Sequence, residues 1–411
     1  MNRRVVITGM GAVTPIGIGV EEFWQGLLEG RNGIGPITLF DASDYPCRIA
    51  AEVKDWNPSQ FMERKKAKRL SRCAQFAVAA SKLCLEHAGW TQRYNPAKTA
   101  VVGSMSNSAQ DILELLVNTI GQRGYERLSP RTLPMLIPHT STSEVAAITG
   151  FQGEVVSITN ACAAGLYGIG HAAHLIRSGY YDAILCPATD ASISYTGMGC
   201  FCRAGLVSLR NEEPEKASRP FDAERDGGVL GEGATCLLLE SAEHAKQRSA
   251  SIYAEIDGFG SKEAYSNKEH GDKGMSESMR KALASANCSP HSVDYIAGNG
   301  VSDVELDRVE TEAVKSLFGE KAYDIPISSV KAQTGIPLNV AGTLQLTSAI
   351  MALNRGIIPP TGNYEIPDPD CDLDYVPGAP RYNSISRVLV HAHGLNGSNA
   401  SLVLAKWSAW K

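Results

Sequence analysis

One thiol stands where a nucleophile would be useful. In Ser157-Ile-Thr-Asn-Ala-Cys162-Ala-Ala-Gly165 a strand-like run ends, very small side chains crowd around a cysteine, and a helical pattern carrying Ile169 and Leu175 begins. A cysteine at a helix N-terminus has its thiolate stabilised by unpaired N–H groups and the helix dipole, and small neighbours leave a substrate room to reach it. Such a thiol attacks an acyl carbonyl and forms a thioester. The same pattern also suits a cysteine packed as a small hydrophobe, the commoner fate of that residue. A second candidate, Gly9-Met10-Gly11, lacks the third glycine of a dinucleotide fingerprint and has Pro15 where the helix should run. It is therefore expected to form a tight strand-to-loop turn. The ten cysteines offer only one close pair, Cys200/Cys202. No metal site, disulfide framework or cofactor is expected from that spacing.

The elements that must position Cys162 are legible as two alternating patterns. Short apolar, largely β-branched runs from Val5 to Thr8, Ala100 to Gly103, Ala183 to Cys186, Cys236 to Leu239, Val388 to Val390 and Leu402 to Leu404 predict strands buried on both faces. Between them lie helical periods over 20–29, over 71–88 and from Cys162 to Arg177, followed by Gly30, Gly89 and Gly179 as stops. The expected class is α/β. Two long stretches, 38–70 and the proline-rich 357–386, are expected to be excursions from the core. No repeat is visible in residue identities, so any duplication must be structural.

Composition sets outer limits. The chain has 411 residues, 43% hydrophobic and 20% charged, with 39 Gly and 20 Pro, which excludes a fibrous or disordered protein. A net charge of −5, from 39 Lys+Arg against 44 Asp+Glu, disfavours a nucleic-acid partner. Apolar runs are broken too soon for a signal peptide or a membrane span, and reduced cytosol is the expected compartment.

Several ordered motifs then converge. Asn160-Ala-Cys162-Ala-Ala-Gly165 resembles the nucleophile elbow of the β-ketoacyl synthases, condensing enzymes of the fatty-acid-synthase II and type II polyketide kind. Matching stretches follow in order: Val5 to Gly17, Ser218-Arg-Pro-Phe-Asp222, Arg225-Asp-Gly227, Gly231-Glu-Gly233, Lys331 with Thr334-Gly335, Ala341-Gly342 and Gly397-Ser398-Asn399. The resemblance covers essentially the whole chain. It implies the thiolase fold, two βαβαβ halves in five α/β/α/β/α layers, here expected as 1–250 and 251–411 in one compact unit, and it implies a dimer.

The departures are chemical. In the family the cysteine works with two histidines that hydrogen-bond the thioester carbonyl of the extender and stabilise the enolate formed as carbon dioxide leaves. Here the first stretch is Gly298-Asn299-Gly300-Val301 and the second Thr334-Gly335-Ile336-Pro337. Asn299 keeps a donor and Ile336 keeps none. The resemblance further implies Lys331 and Glu310 as site residues, able to persist as a buried ion pair. It puts Leu395 at the gatekeeper position, where its N–H would join that of Cys162 in an oxyanion hole, and His393 at a pocket-lining aromatic position. His391 or His393 could supply an imidazole, although a histidine at a strand end is commonly structural.

Six basic residues in Glu63–Arg72, among them Lys65, Lys66, Lys68 and Arg69, fall in the region that related synthases use to dock an acidic acyl carrier protein. A solvated helix face is the plainer account of such a run. The resulting expectation is a chain-length-factor-like subunit that does not condense. It would pair with a catalytic ketosynthase as a heterodimer and shape the tunnel for a carrier-bound, phosphopantetheine-linked acyl chain. Many chain-length factors carry Gln at the cysteine position, so Cys162 is either a relic or still acylated. The alternatives are an acyltransferase that uses Cys162 as thioester nucleophile, and an active synthase with donors supplied from elsewhere.

Overall fold

The computed structural model describes residues 3–91, 95–107, 109–264 and 271–408. Ten strands carry the architecture: β1 (Val5–Thr14), β2 (Thr99–Ser104), β3 (Val155–Ile158), β4 (Ala183–Ala191), β5 (Glu232–Ser241), β6 (Ala254–Glu263), β7 (Tyr295–Ala297), β8 (Ile327–Ser328), β9 (Arg387–Gly394) and β10 (Ser398–Ala405). Hydrogen bonding links them in the order β8-β7-β9-β10-β6-β1-β5-β4-β2-β3. Matching β6 to β10 with β1 to β5 makes that order the same from both ends. In each half the third, second and fourth strands are parallel, and the fifth is antiparallel to both the fourth and the first. The halves meet where β1 and β6 pair over Val6/Glu255 and Ile7/Ala254.

Burial on both faces follows from strand alternation. Ile184 and Cys186 of β4, Leu237 and Leu239 of β5, Val388 and Val390 of β9, and Leu402 and Leu404 of β10 point into one central core. Their neighbours Leu185 and Leu238 face an outer cluster on one side, and Leu389 and Val403 face another on the opposite side. Helices fill the three spaces. α1 (Arg72–His87) covers the first half, α3 (Gly271–Ser285) and α4 (Val304–Phe318) cover the second, and α2 (Ala164–Arg177) and α5 (Asn339–Arg355) lie between the halves. This is the five-layered α/β/α/β/α arrangement.

The central helices need small residues to cross. A Cβ on Gly165 would lie 2.5 Å from the Asn339 carbonyl oxygen, so glycine there is a packing requirement. Residues Asn339 to Leu353 of α5 are all buried, as expected for a helix enclosed on every side.

Several expectations are corrected. Gly9 and Gly11 do not make a turn. Both lie inside β1, where a Cβ on Gly11 would come within 2.1 Å of the Ala80 carbonyl, and their role is to let α1 lie flat on the strand. The basic run is not one helix: a single turn, Arg64–Ala67, is separated from α1 by residues 68–71. Arg72 is drawn inward to Glu232, at 2.5 Å, and is not part of an exposed face. The stretch 38–70 holds strand Ile49–Ala51, paired with Ile34–Pro36, as well as that turn of helix. Of the nine cysteines other than Cys162, Cys200 is exposed and Cys202 and Cys288 are half-buried, while the remaining six are buried.

Candidate functional site

The duplicated topology puts the chemistry at matching places. Cys162 follows β3 and Lys331 follows β8, its counterpart in the other half, while Asn299 follows β7 and Leu395 follows β9. These are carboxyl ends of parallel strands, where α/β sheets leave room for ligands. Cys162, Asn299, Lys331, Ile336, His393 and Leu395 all line one cavity of about 690 Å³.

The chain reaches Cys162 through a strained elbow. Ala161 has φ 45°, left-handed for a residue with a Cβ, a conformation that costs about 1–3 kcal/mol and needs its surroundings to hold it. Gly394 allows the end of β9 to press against it, since a Cβ there would sit 2.9 Å from Cys162 N and 3.1 Å from Ala163 N. The Leu395 backbone N–H is close enough to the Cys162 sulfur to favour its thiolate form.

The thiol itself is not activated. Burial first, and then the charge of Asp190, push it up to about 11, against the weaker pull of the Leu395 N–H and Lys331. At pH 7 only about one thiol in 10⁴ would be ionised. Iodoacetamide labelling of Cys162, followed by peptide mass spectrometry, is therefore expected to accelerate about tenfold per pH unit to near pH 11. A plateau at pH 8 or below would show a stabilised thiolate.

The wall opposite carries Asn299 and Lys331. Asn299 Oδ1 lies 3.4 Å from Lys331 Nζ and accepts from His393 N–H at 3.3 Å. Both neighbours are donors, so the oxygen must face them, and the amide NH₂ is left for the cavity. Lys331 is buried, donates to the Asn299 carbonyl and lies 3.2 Å from Gln345 Oε1. Burial lowers it to about 8, and the charges of Glu310 and Asp307 act against that. Ile336 offers only hydrocarbon, and its Cδ1 would be 2.3 Å from a Cβ on Gly228.

The expected Lys331–Glu310 ion pair is not formed as a contact. Glu310 spends its two oxygens on the N–H groups of Asn299 (2.6 Å) and Gly300 (2.7 Å). One turn earlier on α4, Asp307 accepts from Val301 N–H (2.7 Å), Ser302 N–H (3.1 Å) and Phe221 N–H (2.8 Å). Two buried carboxylates thus clamp four consecutive backbone donors of the loop that presents Asn299. Burial raises both acids, Asp307 to about 7.

Neither His391 nor His393 is placed to donate into the cavity. His391 is fully buried, bonded through Nδ1 to Ser401 at 3.0 Å, and burial drives it down to about 3. His393 does line the cavity, but its Nδ1 faces Asn399 Oδ1 at 3.0 Å. Asn399 Nδ2 donates to the Gly397 carbonyl, which identifies Oδ1 as an acceptor and puts the His393 proton on Nδ1. Its Nε2 then carries a lone pair, and burial lowers the ring's basicity, so it cannot donate to a carbonyl.

The basic cluster lies elsewhere. Lys65, Lys68 and Arg69 line a separate surface groove with Arg131, while Lys66 is paired with Glu144 at 2.9 Å. Gln345 and Asp307 were not singled out from the sequence. A glutamine within an otherwise enclosed helix was the available signal for the first. Among the described residues no group of three His, Cys, Asp or Glu side chains is placed to hold a metal ion, and no helix is long and apolar enough to cross a membrane.

Comparison with known proteins agrees with this geometry. The family model described as beta-ketoacyl synthase, N-terminal domain, matches residues 2–245, and its C-terminal counterpart matches 253–365. The 3-oxoacyl-[acyl-carrier-protein] synthase 2 of Synechocystis sp. is 40% identical over 98% of both chains. The structure of the ishigamide ketosynthase/chain length factor superposes with a TM-score of 0.93 at 30% identity, covering 99% of this chain and 100% of that one. A type II polyketide synthase acyl-carrier protein in complex with its ketosynthase superposes at 0.91 and 30% identity, again covering 99% and 100%.

Proposed function

The chain belongs to the beta-ketoacyl synthase family, as a ketosynthase-like protein of the fatty-acid and type II polyketide kind, and on that premise we propose that it is the non-condensing, chain-length-factor-like half of a synthase. The observation that carries this reading is the donor wall. Cys162, Leu395 and Lys331 line one cavity, but the residues at which the family resemblance implies imidazoles are Asn299 and Ile336, and no nearby histidine compensates. Decarboxylation needs donors aimed at the developing enolate, and hydrocarbon at Ile336 supplies none.

The partner we propose is a ketosynthase that retains both histidines. Strand β3 is an edge of the sheet and its residues are half-buried. On helix Gln110–Arg123, Leu113, Val117 and Ile120 are exposed at the spacing of one face, 61% in the case of Val117. An unpaired strand edge and an exposed apolar stripe are each features that a second, similar chain would cover. In this reading the halves 1–250 and 251–411 act as one unit, and Lys65, Lys68, Arg69 and Arg131 meet the acidic carrier protein. A similar solved structure is described as a type II polyketide synthase acyl-carrier protein in complex with its ketosynthase, which supports a carrier protein as the class of partner.

Reconstitution with such a ketosynthase, an acyl carrier protein and malonyl donor tests the proposal. Product should form only with both subunits. Cys162→Ala in this chain should leave yield and product length nearly unchanged, whereas Cys→Ala in the partner should abolish product. A second reading, acyl transfer through Cys162, is favoured by the intact elbow. It would show as a stable acyl adduct on Cys162 and loss of product in Cys162→Ala, and product from this chain alone would overturn the non-condensing assignment.

A further inference from the structure

Two chambers meet at the thiol, and they differ in chemistry. Cys162, Phe201, Leu338 and Leu395 line both the 690 Å³ cavity and a second, open cleft of about 1020 Å³. The first chamber is otherwise largely hydrocarbon, with Leu206, Val207, Leu230, Val301 and Leu306 in its walls. The second is polar: Ser106, Asn107, Thr159, Asn160, Glu263 and Asn396 line it. A chain attached at or lying beside Cys162 can therefore enter either of two different environments.

The polar cleft contains an incompletely occupied acceptor. Glu263 Oε1 accepts from Tyr167 OH at 2.6 Å and from Asn160 Nδ2 at 3.3 Å. Among the described residues its Oε2 has only the Ser398 hydroxyl, at 2.9 Å, and that hydroxyl also lies 2.8 Å from Asn160 Oδ1. One hydroxyl proton serves one acceptor at a time, so whenever Ser398 turns to Asn160 the Glu263 Oε2 is left without a donor among the described residues. The donors around it nonetheless favour the carboxylate over the acid. Nearby, the Asn396 side chain stands on a left-handed residue, φ 66°, with its amide unpaired among the described residues. An ionised acceptor beside an amide donor suits a group that both donates and accepts, which is a hydroxyl. A plain alkyl chain laid there would strip water from these groups and return no hydrogen bond.

We propose that the polar cleft takes an acyl chain bearing a hydroxyl group, with Glu263 as the residue that selects it. This rests on the reading of the site as one that receives acyl chains, and it adds the class of chain. Sites built to bond a hydroxyl reject the analogue lacking it far more strongly than apolar pockets reject an extra methylene.

The test is calorimetric titration of the full chain, alone and with its ketosynthase partner. The probes are amide analogues of decanoyl, 3-hydroxydecanoyl and 10-hydroxydecanoyl N-acetylcysteamine, which cannot acylate Cys162. At least one hydroxylated probe should bind tenfold or more tightly than the decanoyl probe, and Glu263→Gln should reduce that ratio to about threefold or less. Should that variant not fold, Asn396→Ala, at an exposed side chain, should likewise shrink the ratio. Equal or tighter binding of the decanoyl probe, no binding of any probe, or a ratio unchanged in the variants would overturn the proposal. Failure of the non-condensing assignment registers separately, as product formed without the partner, and leaves the binding ratios intact.

Discussion

Incubated alone with malonyl-loaded carrier protein, the chain is expected to release carbon dioxide about 10³-fold or more slowly than a synthase that keeps both histidines. Removing a single oxyanion-type donor costs roughly 10²–10³ in turnover, and groups acting as a unit do not lose their effects additively. Ile336 accounts for one complete loss. Asn299 accounts for a partial one, because its amide still faces the cavity while its oxygen is held by Lys331 and His393 N–H. The histidine present in the cavity adds nothing, since its proton is committed to Asn399. Radiolabelled carbon dioxide release measures this directly. The paired variant Asn299→His/Ile336→His should raise release by about 10² or more, and Gly228, which packs against Ile336 Cδ1, has no Cβ of its own to crowd the new ring. Release by the unmodified chain within tenfold of an intact synthase would mean that the donor wall has been misjudged.

Glu310→Ala is expected to destabilise the fold by about 3–5 kcal/mol, the range for breaking a buried charged network by removing one member. Three losses coincide. Two buried N–H groups, Asn299 and Gly300, lose their acceptor, each at about 1–3 kcal/mol. Lys331 loses the negative charge that most favours its protonated form. The loop presenting Asn299 then keeps only the Asp307 half of its clamp. Glu310→Gln, which retains one carbonyl acceptor and the side-chain volume, should lose roughly half as much. Urea unfolding followed by circular dichroism distinguishes them, and a Glu310→Ala midpoint indistinguishable from the parent would contradict the clamp.

The parts of the molecule that could be read in advance are those governed by local rules. The apolar runs at Ala183 to Cys186 and Leu402 to Leu404 are strands because a continuous hydrophobic stretch has to be covered on both faces, and the structure covers them with helix layers on both sides. The helix after Cys162 ends near Gly179, which has φ 79° and needs no Cβ. Strands β7 and β8, three and two residues long, were not visible, because pieces that short carry no period. The basic run misled for a related reason. Charge spacing alone shows neither that the chain turns at 68–71 nor that Arg72 is pulled in to Glu232.

The small-residue elbow around Cys162 and the residue types Asn299, Ile336, Lys331 and Leu395 were legible in the sequence alone, since each is a matter of residue type at a position that the family resemblance picks out. What the thiol and the histidines are able to do was decided only in three dimensions. Whether Cys162 ionises depends on burial and on Asp190, whether His393 donates depends on Asn399, and whether Glu310 pairs with Lys331 depends on which backbone N–H groups reach it first. All of these partners lie far away along the chain or across an irregular loop. Proton position and charge are set by what stands within about 3 Å of an atom, a distance that residue order does not encode.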